Sequence, residues 1–274
     1  MKRAQKHLGR YLIVLLLGLI MALPLFYLIS GSLMSYSEFV QYPPRIFPSE
    51  PVWENFVKAW EYLTPRTVGN TFIFVISVLV LQLSICLPAG FALSKIRFRW
   101  SGVLFGFFII PMFFPHTLNL IPTYIVTLQL GIVGSFAGLI LPVVGQASFG
   151  VLLFRQFFVT LPDGLIEAAR IDGASWFRTF FSIAVPLARP MIASYSVITF
   201  LNAWNMFIWP LVAAPGEKTR VLTVALAPLA TSEYSHISPA VGFAAAVIAM
   251  LPVLIVFIAF QRWFERGVVG TGLE

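Results

Sequence analysis

Six apolar runs constrain this chain more than any other feature. They lie near Tyr11–Ser30, Thr71–Leu93, Val103–Leu118, Gly134–Phe154, Met191–Ala213 and Val241–Phe260. A helical crossing of a bilayer needs about 20 mostly apolar residues. The third run is the shortest, and Pro111, Pro115, His116 and Thr117 interrupt it. An unpaired backbone amide in hydrocarbon costs several kcal/mol, so every run is expected to be a helix and the chain all-α. Of the 274 residues only 11% are charged and 59% are hydrophobic. A soluble domain carries roughly a quarter charged residues, so this is an integral membrane protein.

Six crossings place both termini on one side, and the basic residues choose the side. Four lie in the N-terminal tail (Lys2, Arg3, Lys6, Arg10), three between the second and third runs (Lys95, Arg97, Arg99), four between the fourth and fifth (Arg155, Arg170, Arg178, Arg189) and two near the C-terminus (Arg262, Arg266). The opposite face holds five: Arg45, Lys58, Arg66, Lys218 and Arg220. Basic residues concentrate on the cytoplasmic side, so both termini and the segment at about 155–190 are expected there. Trp100, Trp209 and Trp263 fall near run ends, as interfacial aromatics do. The expected organisation is a cytoplasmic tail over 1–10, a six-span domain over 11–260 and a second cytoplasmic tail over 261–274. The net charge of +7 then anchors the protein to its membrane and gives no reason to invoke nucleic acid.

The first run is too long for the apolar core of a signal peptide, and no clear small-x-small cleavage site follows it, so it is expected to be retained. The outer segment Gly31–Val68 contains Pro43, Pro44, Pro48, Pro51 and Pro65 and is expected to be a short irregular cap. The single cysteine, Cys86, sits among Leu and Ile and reads as core filler.

Between the fourth and fifth runs lies a polar stretch with its own local design. On a wheel of about 100° per residue, Leu165, Ile166 and Ala169 share one side, Ala168 lies at its edge, and Glu167 and Arg170 lie opposite with Ile171 beside Glu167. Gly173 follows where a left-handed residue would end the helix, and Asp172 tolerates the bend. Ser175 can cap a second helix whose Trp176, Phe177, Phe180 and Phe181 form one apolar face, with Arg178 and Ser182 opposite. Pro186 is expected to end it, and Pro190 suits the first turn of the fifth span. The wheel serves lipid contact and protein docking equally well.

The spacing Glu167-Ala168-Ala169, three residues, Gly173, nine residues, Ile183-Ala184-Val185-Pro186 resembles the EAA motif of bacterial ABC importer permeases. That family's pattern ends in Leu-Pro, where this chain has Val-Pro. The fuller strings Phe154-Arg155-Gln156-Phe157-Phe158, Leu161-Pro162-Asp163 and Glu167 through Ser175, then Trp204-Asn205, Trp209-Pro210-Leu211 and Gln261-Arg262-Trp263-Phe264 with Arg266-Gly267, are similar to the carbohydrate-uptake branch. That branch includes maltose-type and glycerol-3-phosphate-type permeases.

The resemblance implies the type I importer permease fold in the bacterial inner membrane, with a cytoplasmic coupling helix. Glu167, Ala168, Ala169, Arg170, Asp172, Gly173 and Pro186 would be its ATPase-coupling residues, with Glu167 paired to a basic group on the ATPase. It further implies a second permease subunit, usually a different chain, two ATPase subunits that hold ATP and Mg, and an extracytoplasmic solute-binding protein. No cofactor is expected in this chain.

The chain contains no Gly-x-x-x-x-Gly-Lys-Ser/Thr stretch, so it has no phosphate-cradling loop of its own. His7, His116 and His236 are isolated, and no His or Cys cluster suggests a metal or a catalytic group. A membrane-embedded enzyme is therefore not indicated. No Asp or Glu falls within a run, which removes the usual coupling group of a stand-alone secondary transporter.

Polar residues inside spans mark either helix–helix hydrogen bonds or a watery path. Asn202 follows Thr199 by three residues and Tyr195 by seven, and Asn205 continues the face. These four and Gln146 are the candidate substrate path, with Asn119 weaker and Trp204 or Tyr195 placed to stack on a sugar. The runs hold no Lys or Arg, which favours a neutral sugar or polyol over a phosphate ester unless a partner chain supplies the charge.

Overall fold

A computed structural model of the chain describes residues 2–115, 117–230 and 237–269, with side chains described from 10 to 261 apart from 116 and 230–236. His116 and His236 lie outside the described residues, as do the side chains of Lys2, Arg3, Lys6, His7, Arg262, Trp263, Phe264 and Arg266. The described residues form helices and no strand. In chain order these are α1 (Lys2–Ser32), α2 (Tyr36–Val40), α3 (Glu54–Lys95), α4 (Ser101–Ile109), α5 (Leu120–Gln129), α6 (Phe136–Gly145), α7 (Ser148–Thr160), α8 (Asp163–Ile171), α9 (Trp176–Thr179), α10 (Val185–Leu187), α11 (Arg189–Trp204), α12 (Ile208–Ala213), α13 (Leu222–Leu226) and α14 (Pro239–Val269).

By length and composition Arg10–Ser32, Glu54–Lys95 and Pro239–Gln261 can each cross a membrane alone. Two bent pairs pass the same test together: Phe136–Gly145 with Ser148–Thr160, bent by 44°, and Trp176–Leu187 with Arg189–Trp204, bent by 74°. Among the described residues that makes three candidate crossings, or five if each bent pair is one crossing.

Prolines shape the runs that are not single long helices. The third run is helical only over Ser101–Ile109 and tightens to a 3₁₀ turn over Ile110–Phe113. Leu120–Gln129, which lies outside the six apolar runs, is helical. The fifth run is two helices, because Pro210 has no N–H and its ring would strike the Met206 carbonyl in a continuous helix. That carbonyl instead accepts the Thr223 hydroxyl at 2.7 Å. Pro186 does not end the second helix of the polar stretch as expected. Phe180–Ala184 widens into a π segment ahead of it, and the helix runs on through Leu187. The wider turn relieves the clash that the proline ring would make one turn back.

The chain divides into two units, one of residues up to Pro65 with Ala225–Pro252, the other of Arg66–Val224 with residues from Val253. Thr64, at φ 58 just before Pro65, interrupts α3 near this boundary. The Pro65 ring excludes the helical ψ at the preceding residue, and Thr64 has ψ 144.

In the first unit the proline-rich segment after α1 is more ordered than its prolines suggest. Ser35 and Glu38 form a capping box on α2. Glu38 also accepts from the Ser49 amide at 2.9 Å and pairs with Arg45 at 3.1 Å. Hydrogen bonds from the Ser49 amide and hydroxyl, and then from Ser35, hold its carboxyl down at about 2. Asn55 donates to the Ser32 and Met34 carbonyls, each at 2.9 Å. All described residues of α1 from Arg10 to Phe26 are exposed, an apolar surface that requires lipid or protein cover.

Candidate functional site

The polar stretch between α7 and α11 is built as a rigid turn. Asp163, in the first turn of α8, complements the helix dipole. At the other end Gly173 has φ +80. Its amide donates to the Arg170 carbonyl at 3.1 Å, and the Ala174 amide reaches the Ala169 carbonyl at 2.9 Å. This is the Schellman closure, which requires a left-handed residue at Gly173. Arg170 donates to the Ala174 carbonyl at 2.6 Å and stacks 4.7 Å from the Trp176 ring centroid, so it ties α8 to the next helix. Ser175 caps α9 by accepting from the Arg178 amide at 3.2 Å.

Only one of the apolar residues of α8 is buried. Ile166 is 5% exposed, whereas Ile171 is 86% exposed and Leu165, Glu167 and Ala168 face outward. The expected single apolar face of the second helix is split. Phe180 is buried and Trp176 packs against the core, while Phe177 and Phe181 are exposed. The four aromatics are consecutive pairs about 100° apart per residue, so they cannot all face one neighbour. The outer surface of the segment is thus Glu167 and Ala168 with uncovered Leu165, Ile171, Phe177 and Phe181, and the exposed Asp172 and Gly173 at its tip.

Lys95, at the end of α3, holds the start of this segment. Its side chain is 4% exposed and donates to the Leu161 carbonyl and the Asp163 carboxylate, each at 2.6 Å. The Lys95 ammonium holds the Asp163 carboxyl below the usual carboxylate range.

The five candidate path residues come together elsewhere. Gln146, Tyr195, Thr199, Asn202 and Asn205 all line a cavity of about 880 Å³, with Asn119, Thr117, Phe149 and Trp209. No charged side chain lines it among the described residues. Trp204 is not on the wall. It is buried, with its ring stacked 5.4 Å from Phe200 and edge-on to Phe72. Trp209 takes the aromatic place, and its indole N–H is already committed to the Leu139 carbonyl at 3.1 Å.

Gln82 on α3 was missed. Its signal was a lone amide inside the second apolar run. It accepts from the Tyr195 hydroxyl at 2.9 Å and donates to the Val143 carbonyl at 2.9 Å. Cys86, one turn on, reaches the Ala147 carbonyl at 3.3 Å. These donors satisfy carbonyls beside the break between α6 and α7, where hydrocarbon offers none.

Cavity and turn are joined by one packed core. Tyr195 at the cavity wall, Phe154 and Phe158 of α7, Phe91 of α3, Phe180 and Ile166 belong to a single buried cluster. Ring contacts run Tyr195 to Phe154 at 5.2 Å, Phe158 to Phe91 at 5.5 Å and Phe91 to Phe180 at 5.3 Å.

The family model described as "Binding-protein-dependent transport system inner membrane component" matches residues 84–270. The chain is 31% identical over 283 residues to the sn-glycerol-3-phosphate transport system permease protein UgpE of Rhizobium meliloti, covering 98% of each protein. It is 31% identical over 278 residues to the protein of that name from Brucella suis biovar 1, again over 98% of each. Among solved structures, a bacterial ABC transporter involved in the import of the acidic polysaccharide alginate has a chain that superposes with a TM-score of 0.83 at 25% identity, over 96% of this chain and 98% of that one. The MetNI methionine ABC transporter aligns at TM-score 0.55 and 21% identity over 74% of this chain and 94% of that one, a likeness of fold.

Proposed function

The chain belongs to the family of binding-protein-dependent transport system inner membrane components, and from that premise we propose that it is the permease subunit through which an ATP-driven importer moves a sugar, polyol or sugar-phosphate-like solute. The membrane location and the permease role follow from the family. The subunit is a transporter part and not an enzyme, since ATP hydrolysis in such systems belongs to a separate subunit. The proposed topology is six spans with both termini in the cytoplasm. Tails over 1–10 and 261–274 flank a permease domain over 11–260, and the coupling segment lies at about 155–190. The proposed partners are a second, different permease chain, two ATPase subunits carrying ATP and Mg, and an extracytoplasmic solute-binding protein.

In this reading Glu167, Ala168, Ala169, Arg170, Asp172, Gly173 and Pro186 form the coupling helix and its return limb, seated in a cleft of the ATPase. The observation that carries it is the exposed surface of α8 and α9, where a carboxylate, small residues and uncovered Leu165, Ile171 and Phe177 stand on a locally rigid turn. Closure of two ATPase subunits would draw the coupling helices together and shift the spans towards the outward-open state. The test is co-purification with the ATPase subunit. Glu167→Ala and Gly173→Asp should lose ATPase binding or coupled hydrolysis while the membrane subunit stays folded. Intact assembly and coupling in both would sink the reading.

The solute path is proposed at the cavity formed by Gln146, Tyr195, Thr199, Asn202 and Asn205. Amides and hydroxyls beside Trp209 and Phe149 suit a polyhydroxylated solute. The relatives' printed solute, sn-glycerol-3-phosphate, carries a dianion that this wall does not neutralise by itself, so its charge would be met by the second permease. Uptake of labelled sn-glycerol-3-phosphate, competed with glycerol and with maltose, separates the two classes.

A further inference from the structure

The coupling segment has to move with the spans if it is to do work on them, and covalent connection alone does not ensure this. Two observations show where it is held. The first is the short pair of Lys95 contacts to Leu161 and Asp163, made by a nearly fully buried ammonium at the last residue of α3. The second is a close backbone approach one and a half turns earlier. A Cβ added to Gly90 would lie 2.7 Å from Phe154 Cβ and 2.8 Å from the Arg155 amide nitrogen, so α3 and α7 touch with no side chain between them. Phe91, the next residue, packs on Phe158, Trp176 and Phe180, which belong to both sides of the turn.

We propose that Lys95 is a positioning residue for coupling, the latch that makes the coupling helix and the part of α3 beyond the Thr64 break move as one body. The proposal rests on the coupling reading above and deepens it. A surface ion pair would contribute little. This one differs because the Lys95 side chain is only 4% exposed, against 71% for Asp163, and also serves a backbone carbonyl, so its loss would leave the Leu161–Pro162 corner unheld at the entry to α8. A corner that yields absorbs the ATPase stroke instead of passing it on.

The test uses the full importer in liposomes, with its partner permease, ATPase and binding protein, and labelled sn-glycerol-3-phosphate as the solute probe. Lys95→Met should raise ATP hydrolysed per solute moved by about fivefold or more, the scale of an ordinary coupling energy. Lys95→Arg should stay near wild type. The charge swap of Lys95→Asp with Asp163→Lys should recover part of the loss. Amide exchange over residues 163–171 in the same complex, with ATP and vanadate against without, reads the latch independently of solute. The ATP-induced protection should shrink in Lys95→Met and in Asp163→Asn, an exposed change that leaves the core untouched.

An unchanged ATP-per-solute ratio and unchanged protection in Lys95→Met, beside an impaired Glu167→Ala, overturns the latch and spares the coupling reading. No effect of either variant overturns both. A Lys95→Met chain that fails to accumulate, together with an Asp163→Asn chain of wild-type ratio and protection, assigns Lys95 to folding and also overturns the proposal.

Discussion

The Tyr195 hydroxyl donates to Gln82 Oε1 across 2.9 Å, and this bond joins α11 to α3 at the wall of the cavity. Tyr195 is 3% exposed and Gln82 is 7% exposed, so neither group has free access to water. Gln82 spends its other end on the Val143 carbonyl beside the α6–α7 break. Three helices therefore depend on one amide.

Tyr195→Phe keeps the ring and removes the donor. It should destabilise the protein by about 1–3 kcal/mol, because Gln82 keeps a buried acceptor without a partner. Tyr195→Phe combined with Gln82→Leu should cost less than the sum of the two, with an interaction term of about 0.5–3 kcal/mol. Thermal unfolding in detergent of the four members of the cycle measures it, and strict additivity would remove the bond from the account.

Gly173 separates conformational cost from spatial cost. A Cβ there meets nothing within 4 Å, yet φ is +80. Gly173→Ala should therefore cost about 1–2 kcal/mol of turn stability through the backbone alone. Gly173→Asn should cost less, since Asn visits that region more readily. ATPase binding by the purified chain is the readout, with the order Gly, Asn, Ala. Equal binding by all three would show that the Schellman closure is not needed for docking.

Ile166 is the one buried residue of α8. Ile166→Ala should destabilise the attachment of α8 to the core by about 2–5 kcal/mol, as for other buried Ile truncations. Leu165→Ala, on the exposed side at 47%, should leave that attachment alone. Protease cleavage between Leu161 and Gly173, compared for the two variants, checks the contrast. Equal cleavage would mean that α8 is held by its ends only.

The segment after α1 supplies a pH prediction. The Glu38 carboxyl is held at about 2 in the folded chain, against an ordinary value of 4.5. A depressed folded value stabilises fully above the unfolded value and is lost as pH falls through the folded one. Protection of the Ser49 amide from exchange should thus be flat from pH 7 to about 5 and fall between about 4.5 and 2. Glu38→Gln should lower it at every pH and flatten the fall. A loss of protection already at pH 6 would assign the switch to another group.

The shared face of Tyr195, Thr199 and Asn202 was legible in the sequence because a helix fixes neighbours by period alone. The turn at Gly173 and the cap at Ser175 were legible because capping chemistry is confined to a few adjacent residues. The split of Trp176 and Phe180 from Phe177 and Phe181 also lay in the period, since each pair is four residues apart and the two pairs are offset by one residue. Pro111 and Pro115 announced the break in the third run, but not that Leu120–Gln129 would be helical.

The sequence by itself thus determined what one bilayer-length segment can do with its own backbone: the apolar runs, the helical state that hydrocarbon requires, the basic asymmetry and the EAA spacing with its left-handed glycine. Tertiary structure alone decided which groups meet across segments. Gln82 meets Tyr195 from 113 residues away and Lys95 meets Asp163 from 68 away. A lone amide or lysine in a run carries no mark of its partner, because hydrogen bonds and close contacts act over a few ångströms in space, and chain distance fixes that only within a turn or two of helix.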